Sequence, residues 1–186
     1  MRILYGRNYQ HRFTAIAEEI PDKVEVLDVC CGDAALYNRE LKGRVNYIGT
    51  DINKNFIYRG EKKLIKILPL NIITDELPQS DYVIMQASLY QFIPNHKLII
   101  DKLINSANKK VIISEPVRNL SNSSSNIISL IARYSANPGT GHKIERFNEE
   151  SFREIFYDHY KERIEKFKFI PGNRELMVIL NTEIDN

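Results

Sequence analysis

The stretch VEVLDVCCGDAALYNREL, followed by VNYIGTDIN, constrains this chain more than any other. The apolar run at 24–29 predicts a buried strand, 30–33 a tight turn and 34–41 a helix; a second strand then ends in Asp51. Such a unit is half of a doubly wound sheet, whose ligands bind at the carboxyl ends of the strands. Charge in the turn narrows the ligand. Asp28 and Asp33 flank it, and no Lys or Arg lies between Val24 and Tyr37. A pyrophosphate seeks bare N–H groups at a helix start, and two carboxylates there repel it. A ligand with a positive head and a ribose suits the turn better.

The segment resembles the first motif of the class I S-adenosylmethionine-dependent methyltransferases (of the type 11/12-like kind), acid-x-Gly-x-Gly-x-Gly. Here the pattern reads Asp28, Cys30, Gly32, Ala34, with the middle glycine retained and Ala34 as the main departure. The NAD fingerprint Gly-x-Gly-x-x-Gly has one of its glycines here. The resemblance implies S-adenosylmethionine as cofactor, with Asp28 facing its amino group and Cys30 and Gly32 in the turn beside it. Asp51 would accept the ribose hydroxyls, with Ile52 next to it. Asn71 and Ile72 match the places that meet the adenine, with Asp75 as the local rival of Asn71. Gln86 ends the fourth strand, where the family meets the methionine part. Structural alternatives stand beside these roles: Asp51 as a capping aspartate, Asp28 satisfied within its own turn, Gly32 serving the turn alone.

A chain of 186 residues is long enough for one substantial core, and its 43% hydrophobic and 27% charged residues are those of an ordinary soluble protein. Its apolar runs fall short of the roughly 20 residues that span a bilayer. The opening MRILYGRNYQHRF is too polar and aromatic for a signal peptide, so no membrane association and a cytoplasmic location are expected. Cys30 and Cys31 are adjacent and cannot staple distant segments; with four scattered histidines they match no metal-ligand spacing, so no metal is expected. A net charge of +2 is weak ground for a nucleic-acid substrate. The clusters Arg39, Lys42, Arg44 and Lys62, Lys63, Lys66 read as solvated faces.

Further along, Phe13, Ile16, Ala17 and Ile20 share one helical face, ended by Pro21 and Asp22. Asn53 can cap a helix to about Lys62 with Phe56 and Ile57 inward. Strands are expected at 65–70, 82–86 and 111–114. Pro94 suits the first turn of a helix carrying Leu98, Ile99, Leu103 and Ala107. Asn148 can cap another helix, stapled by Phe147 on Phe152. Two strands, 164–170 and 175–180, close the chain around Pro171-Gly172-Asn173. The elements predict an α/β, Rossmann-like, doubly wound and mostly parallel seven-stranded sheet, with helices on both faces and a C-terminal antiparallel hairpin. We read 1–186 as a single domain, with 1–22 as an N-terminal helix and 118–147 as a substrate-side insertion or lid, helical near Ser125 to Tyr134.

The expected function is methyl transfer by in-line displacement to a small-molecule acceptor. Tyr90, Glu115 and His142 are candidates for the acceptor site, and a surface or packing role is the alternative for each. Tyr5 and Tyr9 are candidates to close the pocket. The Asn/Asp-Pro-Pro-aromatic signature of amino-group nucleic-acid enzymes is missing, and no Pro-Cys nucleophile exists. RNA or protein acceptors stay open, as does a non-catalytic partner-binding member of the fold. A dinucleotide-dependent oxidoreductase is opposed by the acidic turn. Oligomeric state is not legible.

Overall fold

The computed structural model describes residues 9–118 and 146–183. The described chain opens with α1 (His11–Ala17) and β1 (Glu25–Val29), followed by a π-helical segment (Tyr37–Leu41) and β2 (Asn46–Asp51). Next come α2 (Lys54–Lys62), β3 (Ile67–Pro69), β4 (Ser80–Gln86), a 3-10 turn (Leu89–Phe92) and α3 (His96–Ser106). β5 (Ala107–Pro116), α4 (Glu149–His159), β6 (Ile164–Phe169) and β7 (Glu175–Asn181) complete it. The sheet has seven strands in the order β3-β2-β1-β4-β5-β7-β6, parallel except for β7, which runs antiparallel to β5 and β6. This is the predicted architecture.

Side chains alternate across a strand, and here both sets are covered. Leu27, Val29, Val83, Met85, Val111 and Ile113 pack with α3 and α4 through Ile99, Leu103, Phe152 and Phe156. Val26, Tyr82, Ile84 and Ile112 pack on the opposite face with α1 and the π-helical segment through Phe13, Ile16, Leu36 and Leu41. Burial on both faces explains why these strands read as apolar runs. Among the described residues no helix is long and apolar enough to cross a membrane.

The helix starts follow their signals. Asn53 Oδ1 accepts the Asn55 N–H at 2.9 Å. Asn148 Oδ1 accepts the Ser151 N–H at 2.8 Å, with Phe147 and Phe152 rings 5.7 Å apart. Four expectations need correction. The helix expected at 34–41 begins one residue later, because Ala34 has φ +52 and stays in the turn, and after 35–36 it continues as a π-helical segment at Tyr37–Leu41. Pro94 precedes the first turn of α3 and follows a cis peptide; Leu98 on that helix is exposed, Ile100 is buried in its stead, and Ala107 already belongs to β5. β3 is three residues long, an edge strand ending at Pro69, which has no N–H for a ladder. β5 is ten residues long instead of a short apolar strand, since pairing with β4 and β7 carries its polar ends along. Phe56 and Ile57 are half-buried, whereas Gly60 is buried against Ile67, into whose Cδ1 a Cβ would run at 2.5 Å.

Candidate active site

Parallel register brings the expected residues to one end of the sheet. Val29 pairs with Thr50 and with Met85, so the chain just beyond β1 leaves the sheet beside Asp51 and Gln86. Asp51 pairs with Pro69, which sets Asn71 a short step beyond the same edge. β1 is flanked by β2 on one side and β4 on the other, so the crossovers diverge there. Such a switch point is where a doubly wound sheet opens a crevice.

The turn after β1 is left-handed at alternate residues: Cys30 φ +57, Gly32 φ +57 and Ala34 φ +52. These are the three glycine places of the motif, so the glycine pattern reflects backbone handedness. Cys30 and Ala34 meet the same demand with a Cβ, at a cost of the order of 1–3 kcal/mol each. Ala87, directly after Gln86, is left-handed as well, at φ +51. Non-glycine residues in this region collect at sites that the surrounding fold over-determines.

Asp51 anchors the turn. Its Oδ2 accepts the Gly32 N–H at 2.9 Å and its Oδ1 the Asn53 N–H at 2.8 Å, leaving a lone pair on each oxygen. The capping alternative and a ligand role are thus compatible. Asp28 is 4% exposed and accepts one side-chain hydrogen bond, from Tyr47 Oη at 2.9 Å. No Lys or Arg among the described residues pairs with it. Burial first, then the charges of Asp51 and Asp33, push its carboxyl up to about 7, against the Tyr47 hydrogen bond. Its own turn does not satisfy it. Burial first, then the charges of Asp51 and Asp28, push the Cys30 thiol up to about 12, and burial with the same two acids pushes the Cys31 thiol higher still, so neither is a nucleophile at neutral pH.

Ile52 is 69% exposed beside Asp51, an apolar surface at the strand end. Ile72 is buried in the core. Asn71 Oδ1 accepts the Ile73 N–H at 3.1 Å, and Asp75 Oδ2 accepts the Asn71 N–H at 2.9 Å, so its rival Asp75 is tied to the same turn. The Gln86 Nε2 is buried and has no hydrogen-bond partner among the described residues. A buried unpaired donor costs free energy, and in native structures each such group calls for an explanation.

The acceptor-side candidates separate. Glu115 is 1% exposed, and its Oε1 accepts the Leu89 N–H at 2.6 Å, so it ties β5 to the turn after β4. Burial pushes its carboxyl up to about 8, with Glu175 adding to the rise. Tyr90 is buried with Arg146 over its ring at 4.2 Å. Tyr9 packs edge-on against Phe13 at 5.2 Å. His142, Tyr5, the helix expected near 125–134 and most of the 118–147 insertion lie outside the described residues. A groove of about 170 Å³ lined by Ile73, Phe92, Ile93 and Leu98 contains none of the expected site residues. No group of three or more His, Cys, Asp or Glu able to hold a metal ion occurs among the described residues.

Sequence reading missed Tyr47 and Gly49. The available signal was the spacing Tyr47, Gly49, Asp51, which puts all three on one face of β2.

No protein-family model matches this sequence, and no curated protein matches it by sequence. Solved structures do resemble its fold. Magnesium protoporphyrin IX methyltransferase from Synechocystis PCC 6803, with bound S-adenosylhomocysteine, superposes with a TM-score of 0.67 at 16% identity, over 94% of this chain and 83% of that one. An S-adenosylmethionine-dependent methyltransferase from Aquifex aeolicus gives 0.67 at 11% identity, over 98% and 96%. The methyltransferase domain of the bacterial protein CtHen1-C gives 0.71 at 14% identity, over 94% and 98%. Strand order, antiparallel seventh strand and these superpositions agree: the chain has the fold of the class I S-adenosylmethionine-dependent methyltransferases.

Proposed function

We propose that this chain binds S-adenosylmethionine where β1, β2 and β4 end and catalyses transfer of its methyl group to a small molecule. The observation that carries the reading is Asp28, a buried carboxylate with acids around it and no cation among the described residues. A buried charge needs a partner, and a ligand with a cationic head brings one. The unpartnered Gln86 Nε2 adds a donor for the ligand's carboxylate end.

The bound cofactor supplies an electrophilic methyl group on a sulfonium, open to in-line displacement. Everything else falls to the chain. Asp28 holds the amino group, and Asp51 offers its free lone pairs to the ribose hydroxyls while keeping the Gly32 turn closed. Ile52 and the Asn71–Ile72 backbone face the adenine, and Cys30 and Gly32 form the floor. Fixing two reactants in line supplies on the order of 7–11 kcal/mol of such a barrier. Glu115 holds the Leu89 turn that borders the acceptor side, beside Tyr90.

A small acceptor is favoured because many basic side chains are already paired: Arg44 with Asp22, Lys110 with Glu165, Lys168 with Glu18 and Glu19. Solved structures of similar fold include the magnesium protoporphyrin IX methyltransferase and a complex between the Haloferax volcanii Trm112 methyltransferase activator and a putative methyltransferase. A protein partner is therefore the second outcome to examine.

Calorimetric titration with S-adenosylhomocysteine tests the cofactor. The wild type should bind it and not NAD, and Asp51→Ala should bind about 10- to 100-fold more weakly, the loss of hydrogen bonds to a charged group. Absence of binding at millimolar ligand rejects the enzyme reading and favours a partner-binding module.

A further inference from the structure

Tyr47 stands on β2, its ring stacked on Tyr37 from the π-helical segment, with centroids 4.4 Å apart and planes 24° from parallel. The stack fixes the ring while its hydroxyl reaches along the strand to Asp28 Oδ2 at 2.9 Å. That reach depends on Gly49, which lies opposite Asp28 in the sheet register. A Cβ at residue 49 would sit 2.6 Å from Cys31 Sγ and 3.0 Å from Tyr47 Oη. The missing side chain is the space through which the hydroxyl passes. Since Tyr47 occupies one oxygen of Asp28, the other is left for a ligand.

We propose that Tyr47 is a positioning residue for the cofactor, holding Asp28 ionised and oriented toward the ligand's amino group through the gap at Gly49. The inference rests on the function proposed above and adds the group that makes Asp28 competent for it. Every other group facing Asp28 works against its charge. Asp51 at the end of β2 and Asp33 in the turn repel it, burial disfavours it, the Cys30 and Cys31 thiols are neutral, and β4 opposes it with Ile84. The Tyr47 hydrogen bond is the one favourable influence among these, and without it the carboxyl would rise from about 7.

The signature is a pH profile. Wild-type affinity for S-adenosylhomocysteine should increase between pH 5.5 and 8.5 as Asp28 ionises. Tyr47→Phe keeps the stacked ring and removes the hydroxyl. Its profile should lie about one pH unit higher, making binding at pH 7 about fivefold weaker and leaving a smaller deficit at pH 8.5. Gly49→Ala should shift the profile the same way by closing the gap. A uniform loss for Tyr47→Phe at every pH, or an unchanged profile, overturns the inference while leaving the cofactor reading intact. A wild type that binds no S-adenosylhomocysteine overturns both.

Discussion

Asp28 and Glu175 are both buried acids at sheet positions, 4% and 1% exposed, yet the chain treats them oppositely. Glu175 opens β7 and meets Arg12 from α1, whose Nε and Nη2 approach its two oxygens at 3.1 and 3.2 Å. The Ser114 hydroxyl adds a third donor at 2.8 Å. Asp28 receives one neutral hydroxyl and is ringed by acids. The fold can supply a buried cation when it needs one, as it does for Glu175. That contrast sets the end of β1, where we propose the cofactor binds, apart from the start of β7, where the acid is neutralised within the fold. Backbone handedness divides less cleanly. Cys30, Ala34 and Ala87 are left-handed where β1 and β4 end, but Lys23 and Leu64 are left-handed ahead of β1 and β3, and Asn173 in the β6–β7 turn is a residue type that tolerates it.

The largest expected effect breaks the paired acid. Arg12→Met strands Glu175 in the core and should cost about 3–5 kcal/mol in urea denaturation. A loss below about 1 kcal/mol would mean that the pair does not stabilise this side.

Asp28→Asn should act in the opposite sense. The carboxyl is raised from 3.8 to about 7, so its contribution is intact below pH 4 and is lost as pH rises through 7. Asparagine removes that loss. The ligand-free variant should be more stable than wild type by about 1–3 kcal/mol at pH 8, with the difference vanishing near pH 4. Denaturation at the two pH values decides it. The same variant should fail to bind S-adenosylhomocysteine, so stability and binding change in opposite directions at one residue.

The smallest effect concerns strain. Ala87→Gly should stabilise by about 0.5–1 kcal/mol in thermal melts, and Asn173→Gly by less than about 0.5. Equal gains at both positions would erase the backbone half of the contrast.

Much of the ligand end is legible in the chain as written. Two strands ending in Asp28 and Asp51 around an acid-flanked turn are local patterns, and local patterns survive into the structure because period and turn chemistry act over a few residues. The same holds for the caps at Asn53 and Asn148 and for the hairpin at Pro171–Asn173. The contacts that give those acids their character are not local. Tyr47 meets Asp28 across strands, and Arg12 meets Glu175 across 163 positions of sequence. No periodicity announces either one. The polar ends of β5 likewise become strand because neighbours pair with them.

The sequence by itself determined the alternation of strands and helices, the doubly wound class and the placing of acids at strand ends, since these follow from side-chain period and turn preference. Tertiary structure alone decided which buried acid would have a cation, which glycine would open a path for a hydroxyl, and which turn residues would take a left-handed backbone. Those outcomes depend on sheet register, and register is settled only when distant strands pack against one another and bury both faces.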